Sequence, residues 1–181
     1  MLIGLIIWPS IYYYSTLCQK SQYFLCLTGV AGVVKRFSLC YFGGMKIREI
    51  IKTSKTRPGN FNRNGIKPEP DEEKTIEYLI TFGFDIDFIR PMSTKGAKNP
   101  DVFMMGSIWE IKTPSSSSES TIKLRFRTAS GQSSKIIFDL RGVKKDPEKV
   151  QKQITELFLE DGGVRRMMII NKDGRLLDLI K

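Results

Sequence analysis

The chain has 181 residues, 41% of them hydrophobic, and a formal net charge of +10, which suits one well-cored domain with an appendage and is too little for two full domains. It contains no histidine, which excludes Ser-His-Asp and Cys-His catalysis, histidine-dependent nucleases and His-ligated zinc, and leaves carboxylates, lysine and hydroxyls to carry any chemistry. The surplus of lysine and arginine suits a polyanionic partner, although it also suits a merely soluble basic protein.

Residues 1–44 hold all the cysteines, Cys18, Cys26 and Cys40, and no aspartate or glutamate. The cysteine spacings match no metal motif. The apolar runs "MLIGLIIW" and "YFLCLTGVAGVV" are shorter than the ~18–20 residues of a membrane span, and no basic stretch precedes the first. We read 1–44 as an apolar leader that is foreign to the domain, from a start codon placed too early, with a membrane-associating leader as the alternative. Met45 opens "MKIREIIK", a natural beginning for a soluble chain acting in the cytoplasm. Residues 45–70 are rich in Lys, Arg, Asn, Gly and Pro and are expected to form a flexible basic segment.

A regular pattern begins at Asp71 and defines a domain over 71–181. "DEEKTIEYLITFGF" has an acidic first turn, Ile76, Leu79 and Ile80 on one face and Gly83 as a stop, which predicts a helix over about 71–82. "FDIDFI" alternates with period two, as a half-buried strand does. "DVFMM" and "IWEIKT" read as a hairpin turning at Gly106-Ser107. The Ser115–Ser118 loop leads to "TIKLRFRTASGQ", whose apolar residues fit a helix imperfectly while Lys123, Arg125 and Arg127 fit a strand equally well. "KIIFDL" is a short apolar strand, "DPEKVQKQITELFLED" is a helix opened by Pro147, and "VRRMMII" and "RLLDLI" close the chain as a hairpin. The order is α-β-β-β-α-β followed by a helix and a hairpin, an α/β (α+β) sandwich around a mixed sheet.

The hairpin carries the candidate chemistry. Alternation sends Ile108, Glu110 and Lys112 to one face of the second strand and Trp109, Ile111 and Thr113 to the other, and Asp101 at the start of the first strand lies near the far end of the second. Two carboxylates at one point repel, and a divalent cation relieves that repulsion. Oxygen ligands without nitrogen or sulfur favour Mg2+ or Mn2+, with the Ile111 backbone carbonyl, water and a substrate phosphate completing the shell. Such an ion lowers the pKa of a bound water and polarises a phosphate, while Lys112 orients the water or offsets transition-state charge. The pattern points to a phosphodiesterase. Glu-x-Lys alone also suits an ordinary surface salt bridge. Trp109, on the opposite face, reads as core packing.

The elements Pro100-Asp101 and Glu110-Ile111-Lys112 resemble the motif of the PD-(D/E)xK nuclease superfamily, whose core is α-β-β-β-α-β. More narrowly, "EEKTIEYLITFGFDIDFI", "KNPDVFMMGSIWEIKTP", "TASGQSSKIIFDLR" and "VRRMMIINKDGRLLDLI" are similar to the tRNA-cleaving C-terminal toxin domain of contact-dependent growth inhibition proteins and its stand-alone bacterial relatives. The resemblance covers about residues 69–181 and implies Asp101 and Glu110 as metal ligands and Lys112 as the catalytic lysine. It also implies a helix glutamate at the metal, for which helical spacing favours Glu72, with Glu73 adjacent and Glu77 on the same helix. Acids in a first turn are equally favoured by the helix dipole. Gln132 stands where related nucleases use a polar residue near the phosphate, although capping is the simpler role. Lys123, Arg125, Arg127 and Arg141 suit a nucleic-acid path, as they suit a solvated face. The resemblance implies an RNA substrate, tRNA in particular, with DNA cleavage or plain nucleic-acid binding as alternatives. It further implies a cognate immunity protein, delivery into target cells and no small-molecule cofactor.

Overall fold

The computed structural model describes residues 39–42, 44–94 and 96–181. Nine strands and three helices occur among them. The strands are β1 (Leu39–Phe42), β2 (Met45–Ile50), β3 (Phe61–Asn62), β4 (Ile86–Phe88), β5 (Val102–Met104), β6 (Ser107–Lys112), β7 (Lys135–Asp139), β8 (Arg166–Ile170) and β9 (Leu176–Ile180), and the helices are α1 (Pro70–Ile80), α2 (Glu119–Gln132) and α3 (Pro147–Glu160). They form one mixed sheet in the order β1-β2-β9-β8-β7-β6-β5-β4-β3. This is the mixed α/β architecture expected, enlarged by three strands.

The sheet's centre is parallel, β6 to β7 to β8, and each step is bridged by a helix. Two successive crossovers in one direction and of one hand place α2 and α3 on the same face. There Ile122, Phe126 and Ala129 of α2 and Val150, Ile154 and Phe158 of α3 pack on Ile136, Phe138, Met167, Ile169 and Leu179. Helix α1 covers the other face, where Ile76 and Leu79 meet Trp109, Ile111, Ile137 and Met168. Full burial of an aliphatic side chain contributes ~1.5–3 kcal/mol, so these residues fasten α1 across the strands that carry Glu110 and Lys112. Pro70 starts α1 at a position where a missing N–H costs nothing, and the Glu69 N–H donates to Glu72 Oε2 at 3.3 Å across the first turn.

Three expectations change. Residues 45–70 are built into the sheet: β2 runs antiparallel to β9, Met45 is wholly buried, and β3 pairs with β4. Arg48 and Arg166 reach Asp178 from both sides at 2.6 and 2.8 Å, and Asp178 is fully buried between them. Within the same segment Gly59 lies so close to Phe84 that an added Cβ would stand 1.9 Å from its carbonyl oxygen. Leu39–Phe42, from the stretch read as a leader, pair with β2 as an edge strand, and the rest of the leader reading, over 1–38, lies outside the described residues. The hairpin turn falls one residue earlier than expected, at Met105-Gly106, both with positive φ (54° and 69°), and Met104 faces Ser107 across it. That pair of angles is the two-residue turn whose twist matches a hairpin.

The ambiguous segment is helix α2. Leu124, 63% exposed, is the residue that spoiled its helical pattern. On a helix Lys123 and Arg127 share one flank while Arg125 takes the other, so they do not form the single row that a strand would give.

Candidate active site

The sheet opens between β5 and β6. Their register ends at Val102 opposite Trp109, and beyond it the Ile111 N–H is taken by a side chain: Asp101 Oδ2 accepts from it at 2.6 Å. The backbone of Asp101 is fixed on both sides, its N–H donating to Trp109 O at 3.1 Å and its carbonyl accepting from Ile89 N at 2.9 Å. Asp101 is therefore tied to the strand carrying Glu110 and Lys112.

Trp109 and Ile111 are buried beneath α1, as alternation requires, and the Trp109 indole N–H donates to Met104 O at 2.8 Å. Glu110 and Lys112 share the opposite face. The Glu110 side chain is only 4% exposed; its Oε1 accepts from the Lys112 ammonium, while its Oε2 is buried without a hydrogen-bond partner. Lys112 also donates to the Ile111 carbonyl at 3.1 Å.

Helix α1 brings one glutamate to this place. Burial raises the pKa of Glu72, and the charge of Asp101 raises it further, while Lys112 pulls it down. Glu73 points elsewhere, its Oε1 accepting from Arg63 Nε at 3.1 Å, and Glu77 is exposed. Burial likewise raises Asp101, against its bond from the Ile111 N–H and the charge of Lys112. Glu110 is pushed up to about 7, chiefly by burial, with the Lys112 bond opposing and the charges of Asp101 and Glu72 adding to the rise. Three carboxylates thus hold protons more tightly than they would in water, because burial penalises their ionised forms more than Lys112 relieves them.

The donor set suits a hard divalent cation: carboxylate oxygens of Asp101, Glu110 and Glu72 and the Ile111 carbonyl, with an unpartnered buried oxygen on Glu110. As the side chains stand, no cluster of three or more acidic, cysteine or histidine ligands is drawn together among the described residues. The Lys112 ammonium sits on two oxygens, Glu110 Oε1 and Ile111 O, that an ion would use. Occupancy by a metal would require Lys112 to turn away from Glu110.

The other expected residues separate. Gln132 Oε1 accepts the Asn99 N–H at 2.7 Å, anchoring the approach to Pro100-Asp101. Asn99 in turn closes the preceding loop, its Oδ1 accepting from Met92 N at 2.7 Å. Sequence reasoning passed over Asn99, although Asn-Pro is a turn-forming pair. Arg141 has protein partners: Nε and Nη2 donate to Asp139 at 2.9 and 2.6 Å, Nη2 also reaches Lys74 O, and the guanidinium stacks 4.0 Å from the Tyr78 ring centroid. Thr75 Oγ1 donates to Asp139 at 2.8 Å, so this buried carboxylate clamps α1 to the end of β7. Lys123, Arg125 and Arg127 are exposed along α2. An open groove of about 560 Å³, lined by Asp71, Lys74, Tyr78, Thr113, Ser115 and Arg141, runs beside the site without including its carboxylates.

The family model described as the contact-dependent growth inhibition CdiA C-terminal domain matches residues 98–176, which include Asp101, Glu110 and Lys112. A solved structure titled "CdiA-CT/CdiI toxin and immunity complex from Burkholderia pseudomallei" is similar to the chain with a TM-score of 0.53 and 19% identity, covering 68% of this chain and 100% of that one. At that identity the likeness is one of fold. No curated protein matches the sequence. No helix among the described residues is long and apolar enough to cross a membrane.

Proposed function

We propose that the chain is a metal-dependent nuclease of the PD-(D/E)xK kind that hydrolyses phosphodiester bonds in RNA, with tRNA as substrate, and that it acts as a contact-dependent toxin effector. The observation that carries this reading is Asp101, Glu110 and Lys112 side by side where β5 and β6 part, within electrostatic reach of Glu72, with one Glu110 oxygen buried and unpartnered. The family match and the fold of the toxin in the Burkholderia complex support an effector role, delivery into target cells and a cognate immunity partner.

In this reading Asp101, Glu110, the Ile111 carbonyl and Glu72 would hold Mg2+ or Mn2+. A divalent cation supplies there a polarised phosphate and a bound water of lowered pKa. Lys112, released from Glu110, turns its ammonium to the phosphate oxygens that gain charge as the water oxygen adds to phosphorus. The attacking water gives up a proton to solvent, the P–O bond to the leaving sugar oxygen breaks, and that oxygen takes a proton from solvent. Asp101 holds the Ile111 amide, keeping the carbonyl of the same residue in place beside Glu110.

The test incubates the full chain with total tRNA and with duplex DNA, with Mg2+ or EDTA, beside Asp101→Ala. Mg2+-dependent cutting of tRNA that Asp101→Ala abolishes is expected. Cutting that survives both EDTA and Asp101→Ala overturns the metal mechanism, and cutting of DNA alone overturns the RNA assignment.

A further inference from the structure

On the face that carries α2 and α3, the helices pack over β6, β7, β8, β9 and β2, while the β3–β5 end of the sheet bears exposed residues. A row crosses this end by register: Asn62 beside Asp87, Asp87 beside Phe103, Phe103 beside Ile108. Phe103 and Ile108 are 44% and 45% exposed, and Met105 in the turn between their strands is 47% exposed. Single exposed apolar side chains are ordinary, but Phe103 and Ile108 face each other across the hairpin and form a continuous apolar bed, while Met105 turns its sulfur to Arg166. Ile108 shares its strand face with Glu110 and Lys112. Phe103, opposite Ile108, is the diagonal neighbour of Glu110, a relation that spans about 7–8 Å and lies within reach of an aromatic ring.

We propose that Phe103, seated against Ile108, is a stacking platform for one unpaired base of the nucleic-acid substrate, next to the phosphate that is cut. This inference rests on the nuclease reading. The chemistry of the row favours a base over a phosphate: an aromatic ring and an aliphatic side chain offer a flat apolar bed, and the Asp87 carboxylate repels a phosphate but accepts from an exocyclic amino group. Asn62 Nδ2 donates to Asp87 Oδ1 at 3.0 Å and holds that carboxylate at the edge of the bed. Lys112 is the cation on this face of the hairpin, whereas Lys135 and Arg166 lie over the Trp109 ring on the other face. An aromatic surface beside a lysine ammonium is complementary to a single-stranded nucleic acid.

The experiment uses the full chain carrying Asp101→Asn, so that substrate is bound and not cut, with tRNA and with single-stranded RNA containing 2-aminopurine. Phe103→Ala and Phe103→Leu are expected to weaken binding about tenfold, the usual scale for one stacked base, and to abolish the quenching of 2-aminopurine, while Phe103→Trp retains both. In the cleaving background Phe103→Ala should raise KM by a similar factor. Unchanged affinity and quenching in Phe103→Ala, while the wild type cleaves, overturns the platform alone. Should the wild type cleave no nucleic acid and Asp101→Asn bind none, the nuclease reading falls and the platform with it. A shift in sedimentation with Phe103→Ala, at unchanged nucleic-acid affinity, would make the patch a protein interface and likewise overturn the proposal.

Discussion

The buried acid Glu110 should make the free protein less stable as pH rises. Its pKa is 4.5 in an unfolded chain and about 7 in the fold, because burial penalises the ionised form more than Lys112 relieves it. Below about pH 4.5 the group is protonated in both states and contributes nothing to the difference. Between these two values the folded chain retains a proton that the unfolded chain has released, so stability falls with rising pH and the full penalty is present above about pH 7. At 1.36 kcal/mol per pKa unit the loss totals about 3 kcal/mol. Because Asp101 and Glu72 are raised as well, they steepen the same slope, and they remain in Glu110→Gln. Urea unfolding of wild type and Glu110→Gln in EDTA at pH 5 and pH 8 separates the contribution. The variant should exceed the wild type by less than about 1 kcal/mol at pH 5 and by up to about 3 kcal/mol at pH 8. Mg2+ at pH 8 should narrow that gap by stabilising the wild type. Equal slopes for the two proteins would refute the reasoning.

Lys112→Ala should lower single-turnover cleavage at least ~10²-fold, the scale of a positioned proton-transfer or charge-stabilising group, with circular dichroism unchanged. Asp178→Ala leaves Arg48 and Arg166 without their shared carboxylate and should cost about 3 kcal/mol in urea unfolding, the low end for a broken buried pair because both arginines are partly exposed. Gly59→Ala should cost ~1–3 kcal/mol through its clash with the Phe84 carbonyl. Gly131→Ala, inside α2 with open space around it, should instead raise the unfolding midpoint by a gain of ~0.5–1 kcal/mol.

Where an element's signal lies within its own residues, the sequence was sufficient. The acidic first turn and the Ile76 and Leu79 spacing placed α1 within two residues, Pro147 placed the start of α3, and alternation placed Trp109 and Ile111 in the core opposite Glu110 and Lys112. The preference for Glu72 over Glu73 came from the same arithmetic, since Glu72 lies two helical turns before Leu79. Packing of Ile76 and Leu79 turns that face of α1 toward the sheet, while Glu73 pairs with Arg63. The charge pattern of α2 misled because Leu124 is exposed and its basic residues alternate as on a strand.

What tertiary structure alone decided are relations between residues far apart in the chain. "MKIREI" carries as many charges as apolar residues and resembles a linker until β9 supplies its backbone partners and Asp178 receives Arg48, 130 positions away. Likewise Gln132 and Arg141 were legible only as polar residues near a suspected site; their partners, the Asn99 amide and the Asp139 carboxylate, exist because helix crossovers return the chain beside β6 and α1. Glu110 and Lys112 were legible because alternation puts them on one face of β6, and Asp101 because it directly precedes β5. Their convergence, the orphaned Glu110 oxygen and the cation-like seat of Lys112 follow from where β5 leaves β6, and no local pattern encodes that divergence.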